Sequence, residues 1–185
     1  MSLKYGILGL LRYSPQSGYD LVKTFDDSLQ FFWQATSSQV YREVHALEDK
    51  KWVRSQREDN DKGPARRVYH LLPDGRAAFE EWMRQFAAEK AEPTRSAFVM
   101  RLFFSGKMAE EEVKEFLIHH RQLNLRQFKE LEKAQTLAEE YGEIVDDAGE
   151  LKAWKLSIAY GLHTTQASIA WLDEQLATMK REARQ

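Results

Sequence analysis

Cysteine is absent from the 185 residues, which removes a disulfide framework, a thiolate zinc site and a cysteine nucleophile from consideration and fits a reducing compartment. Long apolar runs are missing as well. No stretch reaches the roughly 18 residues needed to span a bilayer, and Met1-Ser2-Leu3-Lys4-Tyr5-Gly6 holds no charged leader ahead of an apolar segment. A cytoplasmic protein without membrane association is expected. Only 4 prolines and 9 glycines accompany 43% hydrophobic and 30% charged residues, a balance that excludes a disordered or collagen-like chain and favours helix. Charge of one sign is lacking too: 27 Lys and Arg meet 29 Asp and Glu, a net of -2, so a general basic signature is missing. Residues 1 to 85 nevertheless hold 13 cations against 12 anions, and the remainder 14 against 17. The net balance is therefore +1 in the first half and -3 in the second.

Catalytic patterns are equally scarce, with no Gly-rich phosphate loop, nucleophile motif or convincing carboxylate pair. Of the 5 histidines, His45, His70, His119, His120 and His163, only His119 falls four residues after an acid, Glu115. That spacing starts a metal site on a helix, but more often marks a surface ion pair. The reading is non-enzymatic, with no cofactor and no metal expected.

What is present is periodicity. Leu3, Ile7, Leu8, Leu10 and Leu11 recur at helical spacing up to Ser14-Pro15, where proline disfavours helix in the residue before it. Ser17-Gly18 opens a second helix with Tyr19, Leu21, Val22 and Phe25, ending near Asp26-Asp27. Thr36-Ser37-Ser38-Gln39 has the form of a capping box for a third helix, whose core face is Val40, Val44 and Leu47. Ser38, Arg42, His45 and Asp49 then face away, with Gln39 and Tyr41 on the flanks. The period changes to that of strands over 52–57 and 66–72, joined by a polar, turn-rich loop at 58–65, so a β-hairpin is expected. Pro73-Asp74-Gly75 ends the second strand before a fourth helix with Phe79, Trp82, Met83 and Phe86.

After Glu92-Pro93-Thr94, Phe98, Val99, Leu102, Phe103 and Phe104 form a short apolar helix that stops at Ser105-Gly106. The cluster reads as interdomain core, with a ligand pocket as the alternative. A long helix from Met108 to Tyr141, about 50 Å at 1.5 Å per residue, carries Val113, Phe116, Leu117, His120, Leu123, Phe128 and Leu131 on one stripe. Ile158, Leu162, Thr165, Ile169, Leu172, Leu176 and Met179 then follow a seven-residue repeat, the seam of helices packed side by side. Such a stripe is too long for one small domain and reads as a dimerisation arm, the alternative being a hairpin within one chain. The expected fold is therefore mainly α with a small β-hairpin. Residues 1–90 form a winged helix-turn-helix DNA-binding domain and 91–185 a helical dimerisation domain.

These pieces together resemble the PadR family of transcriptional regulators, in the subgroup whose C-terminal half is similar to the virulence-activator type. The resemblance is carried by Gly18-Tyr19-Asp20-Leu21, by Ser38-Gln39-Val40-Tyr41-Arg42 leading to Leu47-Glu48, and by Arg67-Val68-Tyr69-His70-Leu71 with Pro73-Asp74-Gly75. Arg101-Leu102-Phe103-Phe104-Ser105-Gly106, Ala159-Tyr160-Gly161-Leu162 and Trp171-Leu172 carry it through the second half. It implies a homodimer, a third helix in the major groove of double-stranded DNA, a wing on backbone or minor groove, and a palindromic operator. In some members it also implies a small-molecule effector.

Arg42 and His45 then stand where base edges would be read, and Ser37, Ser38, Gln39 and Tyr41 near the helix start where phosphates would lie. Lys62, Arg66 and Arg67 flank the wing tip, opposed by Asp59 and Asp61. For each, a solvated surface side chain is the plainer alternative. The expected function is a sequence-specific DNA-binding transcriptional regulator acting as a homodimer, with repression and release by a small-molecule effector as the finer expectation. Neither the direction of regulation nor effector-binding residues are readable from these positions. The competing reading is a non-enzymatic adaptor that holds a partner with its long helices. Trp33, Trp82, Trp154 and Trp171 are expected as core or interface anchors, or as walls of an aromatic pocket.

Overall fold

A computed structural model of the chain describes residues 3–60, 63–85, 96–142 and 148–182. Its contacts divide the chain into two units, Met1–Ala91 and Glu92–Gln185. The expected border at 90/91 falls outside the described residues.

The N-terminal unit begins with helix α1, Leu3–Tyr13, which ends ahead of Pro15. A two-residue strand β1, Gln16–Ser17, leads directly into α2, Gly18–Ser28, whose first turn is closed by the Ser17 hydroxyl accepting the Asp20 amide at 3.1 Å. Helix α3, Ser37–Asp49, follows, then β2, Val53–Asn60, β3, Gly63–Leu71, and α4, Pro73–Arg84. Ile7, Leu8 and Leu11 of α1, Leu21 and Phe25 of α2, Val40, Val44 and Leu47 of α3, Val53 and Tyr69 make one closed core. All three helices thus turn the apolar faces read from the sequence inward, except that Tyr19, counted with the α2 face, is exposed at its first turn.

The expected hairpin is extended in two ways. Antiparallel β2 and β3 pair from Val53 and Leu71 out to Asn60 and Gly63, so most of the segment read as loop is strand, with an irregularity between Glu58 and Asn60. Strand β1 adds to the other side of β3 through Gln16 and Tyr69, giving the order β1-β3-β2.

Two tight places hold the wing at its base. Beyond α3, the Lys51 amide bonds to the Glu48 carbonyl and the Trp52 amide to the Leu47 carbonyl, the crossed pair of a Schellman turn, with Lys51 at φ 59°. At Gly75 in α4, a Cβ would lie 2.3 Å from the Trp52 carbonyl oxygen, so only glycine allows that helix to approach the strand. Proline at the first position of α4 lacks only an amide hydrogen that would have no helical partner.

The C-terminal unit holds α5, Ala97–Phe103, capped by the Ser96 hydroxyl, a 3-10 turn at Ser105–Lys107, α6, Glu110–Gly142, and α7, Ala148–Glu182. Helices α6 and α7 pack along each other. Arg121 meets Asp173 with both guanidinium contacts, at 2.5 and 3.2 Å, and Lys155 meets Glu139 at 3.7 Å. The two pairs sit the same interval apart on each helix, which fixes an antiparallel register. The seven-residue seam is covered by this packing: Ile158, Thr165 and Leu172 are buried, and Leu162, Ile169, Leu176 and Met179 half-buried, opposite buried Leu117, Leu131 and Ala138. The seam taken as the dimerisation stripe is therefore satisfied inside one chain, since α6 is as long as α7. Leu123, placed on the α6 stripe, is exposed because it falls one position off the row of Leu117, His120, Asn124 and Phe128. No described helix is long and apolar enough to cross a membrane.

Candidate nucleic-acid interface

The capping box at the start of α3 is complete. The Thr36 hydroxyl accepts the Gln39 amide at 3.3 Å, and the Thr36 amide donates to Gln39 Oε1 at 2.8 Å. Both devices fix where the helix begins and leave the next amides pointing out of its end, with the partial positive charge that a helix N-terminus carries. Ser37, Ser38 and Gln39 are exposed around that end, and Tyr41, Arg42 and His45 on the face running down from it. The box holds the Gln39 oxygen and leaves its NH2 group outside.

Tyr41 is exposed yet fixed: a Cβ at Gly18 would fall 2.4 Å from its ring, so the ring lies directly over the start of α2. His45 leans toward the wing, edge-on to Tyr69 at 6.2 Å and with Nδ1 3.9 Å from a Glu48 carboxylate oxygen. Arg42 is the cation on the exposed face whose position no described ion pair constrains.

On the wing, Arg66 approaches Asp20 of α2 at 3.7 Å, a pair half-exposed at both ends and so of small energetic value. Arg67 is held much more closely, by Glu48 at 2.5 Å and by the Ser55 hydroxyl at 2.6 Å. Arg57, not singled out from the sequence, faces Arg67 across the strands. It joins Ser55, Ala65, Arg66 and Arg67 around a shallow depression of about 390 Å³. Strand alternation carried the signal for it: two residues beyond Ser55, it shares that residue's face. Lys62 and Asp61 lie outside the described residues, as does the side chain of Asp59.

Burial works against the charge of Glu48, but hydrogen bonds from the Ser55 hydroxyl and amide, then Arg67 and His45, outweigh it and hold the carboxyl below its ordinary value. The α3 face and the wing thus offer helix-end amides, hydroxyls, an amide NH2 and several guanidiniums in one unit. Such donors suit phosphate oxygens and base edges. Among the described residues no group of three metal-ligating side chains occurs.

The anchors read from the sequence divide. Trp82 stacks on Tyr5 at 4.6 Å, while Trp33 remains partly exposed. In the C-terminal unit Phe98 stacks on His120 at 3.6 Å and on Phe116 at 5.1 Å, with Trp171 edge-on at 6.3 Å. Val99 and Phe103 are exposed instead, so the α5 cluster does not act as one group.

Residues 7–81 match the transcriptional regulator PadR-like family, and residues 94–180 the virulence activator alpha C-terminal domain. A probable transcriptional regulator of Mycobacterium tuberculosis, Rv1176c, is 37% identical over 95 residues, 51% of this chain and about half, 48%, of that protein's length. The negative transcriptional regulator PadR of Bacillus subtilis is 26% identical over 97% of this chain and 98% of its own. Crystal structures of that protein have been solved in complex with operator DNA and in complex with p-coumaric acid. The DNA complex superposes with TM-score 0.79 at 22% identity, over 97% of this chain and 99% of the other. The Vibrio cholerae virulence activator AphA has a similar structure, with TM-score 0.74 and 26% identity over 98% and 99% of the two chains. A winged helix with long C-terminal helices, matched in sequence along both of its parts, makes this chain a member of the PadR-like family of transcriptional regulators, with a C-terminal domain of the virulence-activator type.

Proposed function

We propose that this chain represses transcription by binding a palindromic operator as a homodimer, with residues 1–90 reading DNA and 91–185 joining the copies. The observation that carries the reading is the fully capped α3, whose outer face is polar and exposed beside a cationic wing. It stands in a fold whose Bacillus subtilis relative is solved on operator DNA. Arg42 and His45 read base edges; Ser37, Ser38, Gln39 and Tyr41 hold phosphates near the helix end; Lys62, Arg66 and Arg67 make the wing cationic. Repression is supported by the relative's name as a negative regulator.

Pairing falls to side chains that the α6–α7 packing leaves out. Met100, Phe103 and Phe104 of α5 and the turn after it, and Leu156 and Tyr160 of α7, are largely exposed, and a second copy covers apolar surface of that extent better than water does. An aromatic acid of the class found with Bacillus subtilis PadR is the effector to try first. It would release the operator by binding the free dimer more tightly than the bound one.

Selection of genomic fragments by the full chain, followed by a gel shift against random DNA, tests the function. A regulator retards selected fragments at concentrations where random DNA stays free. An adaptor that uses its long helices for a protein partner retards both weakly and alike.

A further inference from the structure

The last turn of α3 and both strands of the wing are joined by one closed ring of three side chains. Glu48 Oε1 accepts the Ser55 amide at 2.8 Å and the Ser55 hydroxyl at 2.6 Å, Glu48 Oε2 accepts Arg67 Nη2 at 2.5 Å, and Arg67 Nε donates to the Ser55 hydroxyl at 2.6 Å. Ser55 stands on β2 and Arg67 on β3. Each group acts in its proper role: the hydroxyl donates to the carboxylate and accepts from the guanidinium, and Glu48 Oε1 accepts both the hydroxyl and the amide of Ser55. The Tyr69 ring lies 5.6 Å from the Arg67 guanidinium and completes the seat.

Two consequences follow from the placement. The base of the hairpin is already held by the Lys51 turn, by β1 and by Val53 and Tyr69 in the core, and a bridge from the last turn of α3 to both strands adds a direct tie between the helix and the wing above that base. An acid on this surface also repels DNA, so Glu48 costs affinity unless its geometry returns more. Glu48 is only 25% exposed, and Arg67 54%.

We propose that Glu48 is a positioning residue for operator binding: through Ser55 and Arg67 it sets the angle between α3 and the wing, and Arg67 acts through that bridge and not as a phosphate contact. The inference rests on the DNA-binding reading above. It changes what Arg67 is for, from neutralising a phosphate to holding the wing that presents Arg57 and Arg66.

The test uses the full-length chain on a selected operator fragment, with affinity measured by fluorescence anisotropy over a range of salt, a hydroxyl-radical footprint, and a melting curve for each variant. Glu48→Ala is expected to weaken binding about tenfold, the scale of losing hydrogen bonds to a charged group, although it removes a negative charge. Protection should shrink at the flanks under the wing and persist under α3. Arg67→Ala should weaken binding to a similar extent with the salt slope unchanged, and the double variant should be no weaker than either single one. Glu48→Gln, which keeps an acceptor for Ser55 and loses Arg67, should fall between. Should the melting curve show Glu48→Ala unfolded, Glu48→Gln and Arg67→Ala carry the same test. Equal or tighter binding by the Glu48 variants, additive losses, or a slope flattened by about one phosphate contact in Arg67→Ala would overturn the proposal. A wild-type chain that prefers no fragment overturns the DNA-binding reading and the proposal with it, an outcome distinct from selective binding that the variants leave unchanged.

Discussion

The two units solve the problem of burying apolar surface differently. In the N-terminal unit, Ile7, Leu8, Leu21 and Phe25 are all but fully enclosed by three helices and a sheet, and the exposed face of α3 is polar. In the C-terminal unit two long helices cover each other along one seam, while Tyr160 of α7 stays 71% exposed and, on the short α5 and its end, Phe103 80% and Phe104 72%. A closed core leaves its surface free for a polar ligand; a pair of helices closed only along one seam leaves apolar side chains outside that seam uncovered. The proposed division of labour between DNA and a second copy rests on that contrast.

The largest expected effect is on the closed core. Phe25→Ala should cost about 3 to 5 kcal/mol, read as a lowered denaturant midpoint of the N-terminal unit while the helical signal of α6 and α7 persists. A single transition that shifts as a whole would break the comparison, because the two units would then not be separately closed. Next comes the open unit: Phe103→Ser with Phe104→Ser should raise the dimer dissociation constant about a hundredfold, the scale of losing a hot spot, without lowering the melting temperature of the N-terminal unit. Sedimentation at micromolar concentration reads this directly. If the double variant stays dimeric, the exposed α5 face is not the pairing surface.

Much of this was legible from residue order, because the signals are local. The capping box from Thr36 to Gln39 formed as read, and the inward faces of α1, α2 and α3 match their spacing apart from Tyr19, which is exposed. Strand β1 was not legible, since two residues have no period and its pairing with β3 joins positions far apart in sequence. Periodicity likewise showed that the row from Ile158 to Met179 must be covered but not by what; α6 covers it. Site residues divide on the same line. That Ser37, Ser38, Gln39, Arg42 and His45 would be exposed could be read from helix geometry. That Arg67 would be claimed by Glu48 and Ser55 depends on a turn at Lys51 and a strand register that no local pattern announces.

Smaller changes sharpen the picture of the first unit. Lys51 holds a left-handed conformation at φ 59°, which costs a side-chain-bearing residue roughly 1 to 2 kcal/mol. Lys51→Gly should therefore stabilise the unit by about 1 kcal/mol, seen in the same denaturation curve; a destabilised variant would mean that the lysine side chain contributes more than the turn loses. The smallest expected effect is on pH dependence. The Glu48 carboxyl lies below its ordinary value of 4.5 in the fold, so its contribution to stability is complete above that value and is lost as pH falls through the lower one. Glu48→Gln should flatten the acid limb of the stability curve below about pH 4.5 and leave its slope near neutrality unchanged. An unaltered acid limb would mean that the ring does not stabilise the charged form.

The contrast between the units meets its most direct test in the stoichiometry and footprint of the complex on a selected operator fragment. Two copies per fragment are predicted, protecting two symmetry-related tracts whose centres lie about 34 to 36 Å apart or a multiple of that, and the Phe103→Ser, Phe104→Ser variant should need far more protein to protect both. One copy per fragment, or a single tract without a twofold repeat, would contradict the account.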